Sequence, residues 1–248
     1  MEATFNLDDL SDFILIRLGN FVSEKSDPTK ALGYYDQIIK NGRAEFKTMA
    51  QFGRARILAV SSNPAKQNDA KKTLIEVRDD KNSNKKTKDS STYQLCKLYA
   101  KQGNWAMVVK ECSLYGEKRY PTKKPEVALL LATAFEKTGD FKKAIGAYNS
   151  TYSRYKASWA ISIPALTRAS QLTWQHGAEV KGVSAKQIAY NPAARFLKAS
   201  KKAYFENKEQ MSLEEIDAYE KLQAQVKEWE TLGDIQTLKE QDEARKNG

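Results

Sequence analysis

Cysteine and histidine are nearly missing from this 248-residue chain, which has two Cys (Cys96 and Cys112) and one His (His176). Two thiols are too few for a disulfide framework. One imidazole cannot complete a metal site with them at any recognised ligand spacing. Glycine (12) and proline (6) are sparse as well, which argues against a fold of many short strands. No long apolar run exists: the longest, Val127 to Phe135, is far short of the roughly 20 residues a spanning helix needs, so no membrane insertion is expected. The start, Met1-Glu-Ala-Thr-Phe followed by Asp8, Asp9 and Asp12, lacks the basic n-region and apolar h-region of a secretory signal. Two readings of compartment stay open: cytoplasmic as the sequence stands, or periplasmic for a mature domain whose signal has been removed. Catalytic motifs are also missing. There is no P-loop, glycine-rich dinucleotide fingerprint, GxSxG or HExxH, so the expectation is a protein that is not an enzyme, with no catalytic residue, cofactor or metal.

What the chain does have is 41% hydrophobic and 29% charged residues, the balance of a globular protein. It is rich in the helix formers Ala, Leu, Lys, Glu and Gln. Its net charge of +10 is unevenly spread: residues 206–248 hold 12 acidic and 6 basic side chains, leaving 35 basic and 19 acidic in 1–205. A basic body with an acidic C-terminal segment could attract an anionic partner or fold back on itself.

Internal periodicity is the strongest signal. From Pro125 to Tyr155, Leu131, Ala132 and Phe135 share one helical face, Thr138-Gly139-Asp140 breaks the helix, and Phe141, Ala144, Ile145 and Tyr148 stripe a second. Gly suits a helix end and Asp the next N-cap. The pattern recurs 36 residues upstream, with Leu95, Cys96 and Tyr99, then Gly103-Asn104-Trp105, then Val108 and Cys112. Near the N-terminus Leu18, Gly19 and Val22 precede Asp27-Pro28 and Ala31, Tyr35 and Ile38, with Pro28 in a first turn. Phe52, Gly53 and Arg56 open a further unit whose second helix, around Ala70, Leu74 and Val77, is displaced by extra residues at Ser61 to Asn68. A fifth, weaker hairpin uses Leu166, Ala169 and Leu172, ends at His176-Gly177, and has its second helix from near Pro192 through Phe196, Leu197, Ala203 and Tyr204.

These motifs resemble the tetratricopeptide repeat family over roughly residues 12–205, best at 125–155, with irregular spacing. The resemblance implies an all-α, right-handed solenoid of about five antiparallel helical hairpins, and a concave groove that holds peptides. One hairpin cannot bury its apolar stripe, so hairpins stack and the last needs a cap. Ser212-Leu-Glu-Glu215 forms a capping box, and Ile216, Tyr219, Gln223, Val226 and Trp229 follow at roughly helical spacing. Residues 1–205 then form the repeat domain and 206–248 an acidic capping helix and tail. The alternative is a dimer seam along that helix, interrupted at Gln223; a monomer is favoured. Asp79 to Ser91 reads as an inter-hairpin loop, and Lys181 to Pro192 as another excursion with one short turn at Ser184 to Ile188.

Carried onto this chain, the family's groove positions are Asn20, Arg54, Tyr93, Lys97, Lys101, Glu136 and Trp174. Stacking and charge-assisted hydrogen bonds there would hold an extended acidic peptide. The family's clamp for chaperone tails is not expected, because Ile16 stands at its lysine position. The leading expectation is a non-catalytic protein–protein interaction scaffold, with a bacterial envelope-associated assembly as a narrower setting. The alternative is an anionic polymer such as RNA bound by the basic clusters at Lys66, Lys71, Lys72, Lys85, Lys86 and Lys88, at Lys118, Arg119, Lys123 and Lys124, and at Arg195, Lys198, Lys201 and Lys202. Many of these lysines have acids nearby and no RNA-reading aromatic platform is evident, so a solvated helix face is favoured. Cys96 and Cys112 fall on the two helices of one hairpin as buried small hydrophobes, the alternative being a disulfide where facing geometry allows it. His176, at a helix end, complements the dipole.

Overall fold

Short polar side chains mark most helix starts. Ser11, Asp27, Asn63, Asn84, Asp140, Ser184 and Ser212 each accept a backbone N–H from the following turn, which satisfies donors the helix cannot. A computed structural model describes residues 10–25, 27–117, 124–181, 183–232 and 235. The chain divides into two compact units, residues 1–123 and 124–248. Among the described residues the first unit contains α1 (Asp12–Glu24), α2 (Pro28–Asn41), α3 (Ala44–Val60), α4 (Pro64–Asp79), α5 (Lys85–Lys101) and α6 (Trp105–Glu117). The second contains α7 (Lys124–Lys137), α8 (Phe141–Arg154), α9 (Trp159–His176), α10 (Ala185–Asn207) and α11 (Leu213–Glu230). The protein is all-helical: the one β feature described is an isolated bridge between Val180 and Val183. No described helix is long and apolar enough to cross a membrane.

Within each unit, helices adjacent in the chain pack on one another, and alternate helices also touch: α1 with α3, α3 with α5, α7 with α9, and α9 with α11. The turns repeat in atomic detail. Asn104 N–H donates to Tyr99 O and Asp140 N–H to Phe135 O, both at 2.9 Å. Gly103 (φ +69°) and Gly139 (φ +80°) sit just before them. This is the Schellman closure, whose left-handed residue favours glycine. Asn104 and Asp140 then cap the next helix through Met107 N–H and Lys143 N–H.

Close approach within the hairpins rests on small residues of the first helix facing large ones of the second. Tyr35 of α2 is 1% exposed, and its ring lies between two glycines of neighbouring helices. A Cβ on Gly19 of α1 would come 2.6 Å from Tyr35 Cε1, and one on Gly53 of α3 would come 2.4 Å from Tyr35 Cζ. The Tyr35 hydroxyl donates to Asn20 Oδ1 at 2.8 Å. Around the ring Leu15, Ile16, Ala31, Ile38 and Ala50 complete the core. Cys96 of α5 and Cys112 of α6 meet at the same sixteen-residue separation, both fully buried and unbridged. The hydrogen bond between the two thiols, and then burial, pushes the Cys96 thiol far above its ordinary pKa. In the second unit Tyr148 of α8 shares a core with Ala132 of α7 and with Ala165, Ala169 and Leu172 of α9.

The second hairpin is longer. Ala70, Leu74 and Val77 of α4 are buried at the spacing of Ala31, Tyr35 and Ile38. Leu74 follows Gly53 by 21 residues rather than 16, and the difference is taken up as helix at the tip, two residues on α3 and three on α4. Lys101 Nζ of α5 reaches this tip and donates to Val60 O and Ser61 O, both at 3.2 Å. Gln102 Nε2 donates to Gln67 Oε1 at 3.3 Å beside it.

α11 packs against both α9 and α10. The capping box at Ser212 and Glu215 is present. The buried stripe is Ala218, Tyr219, Leu222, Val226 and Trp229, so Gln223 lies outside it. Trp229 stacks on Trp174 of α9 with centroids 4.6 Å apart, and Tyr219 stacks between Trp159 and Tyr204.

Two sequence expectations need correction. The stretch Asp79 to Ser91 is mostly helix: α5 begins at Lys85, Asn84 Oδ1 accepts Thr87 N–H at 2.9 Å, and Thr87, Asp89 and Ser91 are buried. Its buried face is built from small polar side chains, which composition reads as loop. Likewise Lys181 to Pro192 is not an excursion past Ser184. Ser184 Oγ accepts Gln187 N–H and α10 runs from Ala185 through Pro192. Lys118, Arg119 and Lys123, the acidic start at residues 8 and 9, and the tail at 236–248 lie outside the described residues.

The glycine contacts separate two substitutions of identical chemistry. Gly53→Ala is expected to destabilise by about 1–3 kcal/mol through overpacking against Tyr35. Gly33→Ala, inside α2 where a Cβ would meet nothing within 4 Å, should stabilise by roughly 0.5–1 kcal/mol through helix propensity. Urea unfolding of both variants measures the difference. Equal effects of the same sign would contradict the ring-between-glycines packing.

Candidate functional site

Only alternate helices contribute side chains to the best-defined cavity of the first unit. Ile16, Asn20 and Glu24 come from α1, Met49, Phe52 and Arg56 from α3, and Lys86, Thr87, Ser90, Tyr93 and Gln94 from α5, with its cap Asn84. The cavity measures about 440 Å³, within the range of small-ligand and side-chain pockets. The spacings 16/20/24 and 49/52/56 are one helical face each, so the register fixed by Gly19 and Gly53 against Tyr35 also determines which residues face the cavity.

Its chemistry is mixed. Ile16, Met49 and Phe52 supply apolar surface; Arg56 and Lys86 supply cations; Glu24 is the one lining carboxylate. Asn20 Oδ1 is occupied by Tyr35, which leaves its amide N–H groups as donors. Arg56 Nη2 lies 3.5 Å from Ser23 Oγ. Burial raises the Tyr35 hydroxyl pKa, partly opposed by the nearby Arg56 guanidinium. Phenolate is thus disfavoured, and the buried ring acts as a neutral donor.

Of the seven groove positions expected from sequence, Asn20 and Tyr93 line this cavity. Lys97 stands one turn along α5, its Nζ 5.6 Å from the centre of the Tyr93 ring. Arg54 pairs with Asp36 of α2 at 3.0 Å, and Lys101 is committed to the tip of the second hairpin. Glu136 and Trp174 belong to the second unit. Trp174 is stacked on Trp229. Glu136, 10% exposed at the side chain, is chelated by Arg168 of α9 through Nε at 2.8 Å and through Nη2. It also accepts the Tyr148 hydroxyl at 2.9 Å. Arg56 and Met49 were missed as site residues, and Lys86 was read only as part of a basic cluster; the offset of three to four residues from Gly53 could have found the first two.

Among the described residues no three His, Cys, Asp or Glu side chains converge as a metal set would. His176 stacks on Phe141, the ring centroids 3.9 Å apart. No family model matches the chain, and no curated protein matches it.

The Glu136 site makes a pH prediction. Its hydrogen bonds with Arg168 hold the carboxyl below the ordinary glutamate range. A depressed carboxylate stabilises the fold above the unfolded-state pKa and loses that contribution as pH falls through the folded value. Glu136→Gln should therefore cost about 1–2 kcal/mol at neutral pH, moderated by the exposure of Arg168. It should cost much less at acid pH, once pH has fallen through the depressed folded-state value of the carboxyl. Chemical denaturation at both pH values reads this out, and an equal loss at both would rule out the ion pair as the cause.

Proposed function

We propose that this chain is a non-catalytic protein–protein interaction scaffold built of tetratricopeptide-like hairpins, solenoidal within each unit, and that the first unit holds an extended segment of a protein partner in the α1/α3/α5 cavity. One observation carries the reading: every side chain lining the cavity comes from alternate helices or the cap of one, which is how a stack of hairpins presents a continuous binding face. The contacts of α1 with α3 and of α3 with α5, and the twin Schellman turns, support the stacking on geometric grounds.

The lining suits a peptide. Ile16, Met49 and Phe52 can accept an apolar side chain, while Asn20, Arg56, Lys86 and Tyr93 offer donors to backbone carbonyls or a carboxylate. A bound nucleic acid would depend mainly on phosphate contacts and lose affinity steeply with salt. An apolar anchor beside a few donors predicts a weaker salt dependence.

Selection from a library of displayed short random peptides against the full chain tests the reading. Enriched peptides should converge on a pattern. Tyr93→Ala and Arg56→Gln should each weaken their binding about tenfold, which is about 1.4 kcal/mol, while Lys40→Ala, on the exposed end of α2, should not. Lack of convergence, or binding indifferent to both cavity variants, would sink it. Affinity falling by orders of magnitude between low and physiological salt would indicate a polyanion instead.

A further inference from the structure

The second unit carries a groove unlike the cavity of the first. It runs between α10 and α11 and encloses about 520 Å³. Ala194 and Leu197 of α10, with Tyr219 and Val226 of α11, form an apolar floor, and Lys198, Lys201 and Lys227 stand along it. The α10 positions 194, 197, 198 and 201 and the α11 positions 219, 223, 226, 227 and 230 each follow helical spacing. At 1.5 Å per residue these rows extend about 10 and 17 Å, the length of two to three helical turns.

The charges around this groove are sorted. Off the groove, Lys202 pairs with Glu206 at 3.7 Å, Lys208 with Glu220 at 2.8 Å and Lys221 with Asp217 at 2.7 Å. On the groove, Lys198, Lys201 and Lys227 are exposed and have no carboxylate within ion-pair distance among the described residues. The one carboxylate lining it, Glu230, already accepts the Tyr190 hydroxyl at 2.6 Å. Among the residues lining it the groove therefore carries three lysines and one carboxylate, an excess of positive charge over an apolar floor.

We infer that the α10/α11 groove is a second docking surface, taking an acidic amphipathic helix of a protein partner. The floor needs apolar side chains on one face of the occupant, and ammonium groups on both sides of it, Lys198 and Lys201 one turn apart on α10 and Lys227 on α11, need carboxylates flanking that face. A nucleic acid meets the second requirement but not the first. Stacking of Tyr219 between Trp159 and Tyr204 covers its ring faces, so no base-stacking platform is offered. This surface shares no residue with the α1/α3/α5 cavity, so either proposal can fail alone.

The test uses the full chain and a fluorescein-labelled synthetic peptide of three helical turns, leucine on one face and glutamate on the other. Controls are a scrambled peptide and one with lysine in place of glutamate. Anisotropy at physiological salt should show binding of the acidic amphipathic peptide only. The triple variant Lys198→Gln, Lys201→Gln, Lys227→Gln, with an unchanged thermal melt, should weaken it at least tenfold, and Tyr93→Ala should leave it unaltered. Carbodiimide coupling should join peptide glutamates to those three lysines, mapped by mass spectrometry. Equal binding of the scrambled peptide, cross-links elsewhere, or affinity unmoved by the triple variant would overturn the inference. So would binding of poly(U) or phosphatidylglycerol vesicles through these lysines with no binding of the peptide.

Discussion

An aromatic ring pressed between two helix backbones governs how the first three helices pack. Tyr35 can lie flat against α1 and α3 only because Gly19 and Gly53 present no Cβ to it. That contact sets how closely three consecutive helices approach and fixes their rotation about their own axes. Once α1 and α3 are held in that rotation, residues 16, 20 and 24 of one and 49, 52 and 56 of the other turn toward common space. The cavity is thus a by-product of core packing. Elsewhere the same pair of positions is filled differently: Tyr148 packs with Ala132, again large with small, whereas Cys112 meets Cys96, two side chains of equal intermediate size. Close packing tolerates exchange of shape between partners so long as the volume of the pair is kept.

Buried polar links tie hairpin to hairpin on top of this packing. Arg78 of α4 reaches Glu111 of α6, a carboxylate only 3% exposed, at 2.7 Å. In the second unit Arg168 of α9 holds Glu136 of α7 while Tyr148 of α8 donates to the same carboxylate. Three consecutive helices thus converge on one charge. Such networks are costly to break by halves, since removing one partner strands the other. They favour a single register between neighbours that apolar stripes alone would leave free to slide.

Much of this architecture was legible in the chain. Gly103-Asn104 and Gly139-Asp140 announce their turns because positive φ and an N-cap narrow the choice of residue. The stripes at 31, 35 and 38 and at 144 and 148 announce their helices by period. Where the reading failed, composition misled it. α5 begins inside a polar low-complexity stretch because its buried face uses Thr87, Ser91 and Thr92. α10 begins before Pro192 although an interior proline removes a hydrogen bond and crowds the carbonyl four residues back; the Ser184 cap and the burial of Ala189, Tyr190 and Ala193 on either side favour the helix there. The site was harder. Sequence shows which face a residue occupies but not which neighbour engages it first, so Lys101, Glu136 and Trp174 read as available while each is committed to a structural partner. Arg54 and Arg56 differ by two positions, enough to turn one toward Asp36 and the other into the cavity.

The lengthened second hairpin shows where this design accepts change. Its five additional residues leave the spacing of Ala70, Leu74 and Val77 in the core undisturbed, because they lengthen the two helices at the tip, where Ala59 is itself buried and Lys101 and Gln102 of the next hairpin close off the end. Hairpin tips are therefore free ends in a mechanical sense, able to grow by fractions of a turn while the shared core stays in place. A lineage built on such a frame can vary its reach from hairpin to hairpin, provided each new tip keeps a cap like Asn63 and a carbonyl like that of Ser61 for its neighbours to hold.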